Sequence, residues 1–178
     1  MTVTHPGSPW SRVVDYRGRM SALSLSPLRL TADDIADVVG IYASNPEYGR
    51  VSGEYDSARI DARQVEAEVR DDMTGGSVYL LAKDGDGTVV GLVSVLGQHP
   101  KDGYPWIGLL MVHRDHGGQG LGREAAAAAV ELLGGPPVRL GVLDGNAAAL
   151  AFWSRVGAVE VEHRDDRGGL VVMELPAS

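Results

Sequence analysis

The sequence predicts a mixed α/β (α+β) domain in which helices pack on a sheet built largely from hairpins. Three observations carry this. Strand-length apolar stretches come in pairs around Gly/Asp-rich turns, at 78–83 and 88–96 and again at 159–163 and 170–175. Upstream, Ile35, Val38, Val39 and Tyr42 fall at i, i+3, i+4 and i+7, one face of a helix. In the middle, an apolar strand, a glycine-rich loop and an alanine-rich helix follow one another across 106–133.

Each element has a local reason. Residues 1–20 have weak periodicity and read as a flexible arm, or at most one added strand; residues 21–178 form a single domain. Leu23, Leu25, Leu28 and Leu30 mark a first strand, interrupted at Pro27. Thr31 with Asp34 is a variant of the capping box that opens a helix. Asn45-Pro46 ends it, and a loop runs from Glu47 to Arg59. Val65, Val69 and Met73 form a second helical stripe closed by Gly75-Gly76. A loop at 97–105 leads to the strand 106–112 and a helix over 121–133, stopped by Gly134-Gly135-Pro136-Pro137. A strand at 138–143, a helix opened by Asn146 and the final hairpin complete the chain, with about four helices in all.

Composition narrows the function. Of 178 residues, 44% are hydrophobic and 22% charged, ordinary for a folded soluble domain. No apolar run reaches the ~20 residues of a membrane helix, and no secretory leader is evident, so no membrane partner is expected. Without cysteine there is no thiolate metal site, and a reducing cytoplasmic location fits. No metal-ligand spacing of the HExxH kind occurs, so no metal is expected. The net charge of −8 argues against a nucleic-acid partner. Four arginines face eleven acids over 31–72, whereas 112–157 is balanced at four of each. The first segment favours a cationic neighbour, and the second does not repel an anionic one.

The chemistry signal is the loop Gly117-Gly118-Gln119-Gly120-Leu121-Gly122. Bare backbone N–H groups ahead of a helix N-terminus make a cradle for phosphate or diphosphate. The Walker pattern is absent. Gly120-x-Gly122-x-x-Ala125 also satisfies a dinucleotide fingerprint, with Asp144 about 20 residues on. Against that, seven residues separate the strand from Gly120, where the fingerprint's first glycine follows its strand almost at once.

The segment from Val112 through Gly122 resembles motif A of the GNAT superfamily of N-acetyltransferases. Asn146-x-x-Ala149-x-x-Phe152-Trp153-x-x-x-Gly157-Ala158 is similar to the family's next motif. The clear resemblance covers about 78–163. It implies a mixed, mostly antiparallel sheet with a splayed strand pair, 106–112 and 138–143, that holds acetyl-CoA as co-substrate. The diphosphate would take amides from about Gly118 to Arg123, with Gly117 at the motif's first position. The pantetheine would pair with the edge Leu110-Met111-Val112. Asn146 would bond that arm or cap its helix. Trp153 stands where many relatives carry a Tyr thought to protonate the departing thiolate. Arg123 and Arg155 could meet phosphates, and His113 and His116 flank the loop.

The expected activity is acetyl transfer to a primary amine, a small cationic one preferred, by direct attack in a ternary complex. An alkylammonium must lose a proton first, so a base is expected. The strand before the loop holds no acid, which leaves Glu47 and His99 as base candidates, with Glu54 and Asp102 also on loops. Tyr48 and Glu54 are expected to bound the acceptor pocket. Two rivals stay open, a CoA-binding GNAT module without turnover and a dinucleotide-dependent oxidoreductase. The oligomeric state is open, a homodimer included. His5 and His163 look incidental.

Overall fold

The computed structural model describes residues 16–17, 23–53, 56, 59–165 and 168–177. Its strands are β1 (Tyr16–Arg17), β2 (Ser24–Pro27), β3 (Val78–Lys83), β4 (Val89–Leu96), β5 (Trp106–Val112), β6 (Val138–Leu143), β7 (Val159–Arg164) and β8 (Leu170–Leu175). The helices are α1 (Ala32–Ser44), α2 (Pro46–Ser52), α3 (Ala62–Thr74), α4 (Leu121–Leu132) and α5 (Ala147–Val156). One sheet runs β1-β2-β3-β4-β5-β6-β8-β7. Every neighbouring pair is antiparallel except β5–β6. Of the arm 1–20, only Tyr16–Arg17 lies among the described residues, added as a strand against Leu25 and Ser24.

Helix starts follow the side chains. The Asp34 N–H donates to Thr31 Oγ1 at 3.1 Å, and Asp34 Oδ2 accepts from the Arg29 N–H at 2.6 Å. Asp61 caps α3 by accepting from the Arg63 N–H at 2.8 Å.

Three expectations are corrected. Pro27 does not interrupt the first strand: it pairs opposite Leu80, and the Leu28 N–H continues the ladder to the Tyr79 carbonyl at 2.9 Å. Alternation turns the missing Pro27 N–H away from β3, toward an edge that β1 does not reach. The loop expected from Glu47 to Arg59 begins instead as the helix α2, which raises the helices from four to five. Pro46 ends α1 yet sits in the first turn of α2, where no N–H is needed, and Gly53 closes that helix at φ 71°. Only Gly49 of α2 is buried, so no apolar stripe announces it.

Alternation along the strands builds two cores. Leu80, Val93, Ile107, Leu140 and Met173 face α4 and α5, where Ala125, Ala126, Ala128 and Ala129 are buried against them. The small side chains let α4 lie close to the sheet. Tyr79, Leu81, Leu92 and Met111 point to the other face, under Val38 and Ile41 of α1 and Val65 and Val69 of α3. Each fully buried Leu, Ile or Val contributes roughly 1.5–3 kcal/mol of transfer free energy.

The functional geometry begins where the parallel pair fails. β5 and β6 share only the register Trp106↔Arg139 and Ile107↔Leu140, after which they diverge. The β4–β5 register slips at the same place: Val95 faces Ile107 and Ser94 faces Leu109, so Gly108 is an extra residue. Such a bulge bends its strand. A Cβ at Gly108 would lie 2.8 Å from Ser94 Oγ, so a larger residue there would have to turn that hydroxyl aside. Although central in the sheet, Gly108 is exposed, because the strands have opened beside it.

Candidate active site

The opened edge of β5 has free backbone groups. The His113 N–H reaches the Val90 carbonyl on β4 at 2.8 Å. Alternation then turns the amide groups of Val112 and Leu110 away from β4, toward the opening. One of them is occupied: Asn45 Nδ2 donates to the Val112 carbonyl at 3.1 Å. The Leu110 N–H and C=O and the Val112 N–H remain for an extended ligand chain.

Beyond β5 a 3-10 turn, Arg114–His116, carries the chain to the glycines. Gly118 and Gly120 adopt φ of 76° and 84°, conformations that cost another residue strain. Gly120 is the N-cap of α4 and offers no side chain to cap it. The Gly117 N–H donates to the Arg114 carbonyl and the Arg123 N–H to the Gly120 carbonyl. Between them, the amides of Gly118, Gln119, Gly120, Leu121 and Gly122 have no acceptor among the described residues. The cradle is therefore narrower than the expected stretch to Arg123. Five unpaired donors at the positive end of a helix suit a diphosphate.

Gly122 brings the loop against α5: its Cβ would stand 3.3 Å from the Phe152 ring. Asn146 caps α5, its Oδ1 accepting from the Ala149 N–H at 3.1 Å. Trp153 is 7% exposed and lies in the core, edge-on to Phe152 at 5.0 Å. The ring against the cradle is Phe152. Arg123 and Arg155 are exposed and form no ion pair among the described residues. A separate groove of about 630 Å³ along α4, toward Val156, Leu175 and Pro176, reaches Arg123 but none of the five cradle residues.

Helix α1 is tied to this site. Ser44 Oγ accepts from the Arg114 N–H at 3.1 Å and from Asn45 Nδ2 at 3.0 Å, while donating to the Ile41 carbonyl at 2.8 Å. Glu47 pairs with Arg114 Nη2 at 2.5 Å. The backbone at the start of α2, and then Arg114, hold the Glu47 carboxyl below its ordinary value. A carboxylate so stabilised is a weak base. Tyr48 is half-buried and packs near Tyr42, ring centroids 5.9 Å apart. Glu54 lies outside the described residues.

His99 sits at the closed end of the splay, stacked on Trp106 at 4.2 Å. Its Nδ1 accepts from the Lys101 N–H at 3.3 Å. Burial is the largest influence on it and pushes its pKa down, favouring the neutral ring. Asp102 Oδ1 lies 3.6 Å from the same Nδ1. Asp102 beside it is a structural hub. Oδ1 accepts from Trp106 Nε1 and the Tyr104 N–H, both at 3.1 Å; Oδ2 accepts from Arg164 at 3.1 Å and Arg139 at 3.3 Å. Burial raises its pKa, but these bonds outweigh it and the carboxyl titrates low. His163 pairs with Asp144: its Nε2 lies 3.0 Å from Asp144 Oδ2 at the end of β6, and that bond raises its pKa. No cluster of metal ligands occurs among the described residues.

A sequence profile of the acetyltransferase (GNAT) family matches residues 38–158, more than half of the chain, and the chain belongs to that family. No curated protein matches it in sequence. Among solved structures it is similar to an acetyltransferase from Thermus thermophilus, at 23% identity and a TM-score of 0.72, covering 88% of this chain and 97% of that one. It is also similar to yncA from Salmonella typhimurium with its cofactor acetyl-CoA, at 19% identity and a TM-score of 0.60, covering 89% and 95%. A third is spermidine N-acetyltransferase from Vibrio cholerae in complex with CoA and spermine, at 15% identity and a TM-score of 0.62, covering 86% and 95%. These likenesses establish the GNAT fold: a mixed, mostly antiparallel sheet with one parallel pair. Membership of the acetyltransferase family removes the dinucleotide-dependent oxidoreductase reading. The seven residues between β5 and Gly120 hold the 3-10 turn and open a cradle in a splayed sheet.

Proposed function

We propose that this acetyltransferase moves an acetyl group from acetyl-CoA to a primary amine, a small cationic one, by direct attack in a ternary complex. The observation that carries the reading is the run of five unpaired amides, Gly118 to Gly122, above a parallel strand pair that parts after two residues. These amides grip the diphosphate. The Leu110 N–H and C=O and the Val112 N–H hold the pantetheine as an added strand. A β5 amide in the same stretch steadies the oxyanion that forms on the thioester carbonyl. Acetyl-CoA itself supplies an activated acyl group.

The acceptor side is bounded by α2 with Tyr48 and by the acidic segment 31–72, which favours a cation. Spermine, seen with the Vibrio cholerae relative, is a polyamine of this class. Trp153 is buried, and its indole N–H is no practical acid for the leaving thiolate. With a thiol pKa near ~8.5, leaving unprotonated at pH 7 costs only about 2 kcal/mol, so water or the exposed Ser154 suffices.

Thiol release from acetyl-CoA with a panel of small amines tests this reading. Release with polyamine-like or other cationic amines is expected. Tight acetyl-CoA binding with no release from any amine would mark a binding module instead.

A further inference from the structure

The sheet is joined at its middle by a short pairing. Strands β1–β5 meet β6–β8 through the two registers Trp106↔Arg139 and Ile107↔Leu140. On the α4/α5 face the core spans this seam, with Ile107 and Leu140 in one cluster. The core on the α1/α3 face takes its buried residues, among those described, from 28–111 and so stops at β5. On that face a carboxylate crosses the seam instead.

Leu140 and Met173 point to α4 and α5, so alternation turns Arg139 and Glu174 to the opposite face. There the loop between β4 and β5 lays Asp102 over the apex of the splay. Asp102 accepts from the indole Nε1–H of Trp106, the first residue of β5, and from Arg139, the register partner of Trp106 on β6. It also accepts from Arg164 at the end of β7, and Arg139 donates onward to Glu174 of β8 at 2.9 Å. Four strands thus meet in one side-chain network. The network is shielded from water: the Asp102 side chain is 12% exposed, that of Arg164 11% and that of Arg139 16%. Shielding strengthens such bonds and makes the loss of one partner costly. Tyr104 fixes Arg139 further, its ring centre 3.6 Å from the guanidinium carbon.

The apex matters because of what the opening holds. On the acetyl-transfer reading, on which this inference rests, the diphosphate sits beyond the C-terminal end of β5 and the pantetheine runs back along Val112 and Leu110. The thioester end then points at Gly108 and Ile107, where the strands close. An acyl group longer than acetyl would have to push into the seam. We propose that Asp102 is a positioning residue: by clasping β5 to β6 it sets the depth of the splay, and with it the length of acyl group that the site accepts.

The test compares wild type with Asp102→Ala and with Trp106→Phe, which keeps an aromatic ring beside His99 and loses only the Nε1 donor. Hydrogen exchange of the Arg139 N–H, bonded to the Pro105 carbonyl at 2.9 Å, reports opening of the seam, with amides of the β3–β4 pair as reference. Thiol release from acetyl-CoA, propionyl-CoA and butyryl-CoA, with the best amine from the panel, reports selectivity. One methylene in a closed apolar pocket is worth about tenfold or more, so wild type should favour acetyl over propionyl by that factor. Both variants should speed Arg139 exchange by about tenfold relative to the reference. Both should raise the propionyl-to-acetyl ratio of kcat/KM by about threefold or more. Acetyl-CoA affinity should stay within about threefold, because the cradle lies at the other end of β5. General destabilisation lowers all three rates together and leaves the ratio unmoved. A smaller rise in the ratio, unaltered Arg139 exchange, or a wild type that takes propionyl-CoA as readily as acetyl-CoA overturns the positioning role and leaves the transfer reading standing. If Asp102→Ala does not fold, Trp106→Phe decides by the same criteria. If wild type releases no thiol from any of the three with any amine, the transfer reading falls and the positioning role with it.

Discussion

Replacing Asn45 with alanine isolates the tie between the acceptor-side helices and the cofactor strand. Asn45 stands at the N-cap of α2, yet its side chain makes no capping bond there. Its Nδ2 donates instead to the Val112 carbonyl at 3.1 Å, the Ile41 carbonyl at 2.9 Å and Ser44 Oγ at 3.0 Å. The variant therefore loses bonds to β5 and to the end of α1 rather than a cap of α2. Ile41 keeps its bond from Ser44, and water can reach the half-buried Val112. The net cost is then one to two ordinary hydrogen bonds, about 1–2 kcal/mol. For a domain of this size that lowers Tm by about 2–8 °C. Thermal unfolding by circular dichroism reads it directly. Ser44→Ala cuts the same network, so the double variant should lose less than the sum of the singles, with a coupling of about 0.5–1 kcal/mol. An Asn45→Ala protein melting within 1 °C of wild type, or strict additivity with Ser44→Ala, would refute the clamp.

Further outcomes follow from the glycine loop and the histidines. Gly120→Ala, at φ 84° with no atom near its Cβ, should cost about 1–2 kcal/mol through backbone strain alone. Gly122→Ala, within α4 and 3.3 Å from Phe152, should be nearly neutral in Tm because about 1 kcal/mol of helix propensity offsets the tighter packing. By NMR titration His99 should titrate below, and His163 above, the ordinary imidazole value, and Asp144→Asn should bring His163 back. Because the His163 value is raised, its pairing stabilises the fold below pH 6.5 and that contribution fades as pH rises through the folded value.

Local chemistry made much of this legible. The strand 106–112, the Asn146 cap and the hairpin around Asp84–Gly87 are where apolar runs and turn residues place them. The glycine-rich turn into α4 could be read because its residues are neighbours in the chain. What stayed hidden depends on distant partners. α2 buries only Gly49 and so has no stripe to read. Asn45 and Val112 are 67 residues apart, and nothing local predicts their bond. Glu47 and His99 looked available as bases because Arg114 and Trp106 meet them only in the fold. Asp144 and His163 are 19 residues apart and joined only through the β6–β8–β7 pairing. The Trp153 position reads as a site residue from its motif, whereas packing turns it inward.

The most direct measurement is a two-dimensional 15N–1H NMR titration with acetyl-CoA, paired with S-acetylpantetheine, which lacks the diphosphate. Acetyl-CoA should move the amide signals of Gly118, Gln119, Gly120, Leu121 and Gly122 strongly downfield and those of Gly117 and Arg123 far less; the shorter thioester should leave all of them near their starting positions while perturbing Leu110 and Val112. Acetyl-CoA binding that leaves those five amides unmoved would contradict the account.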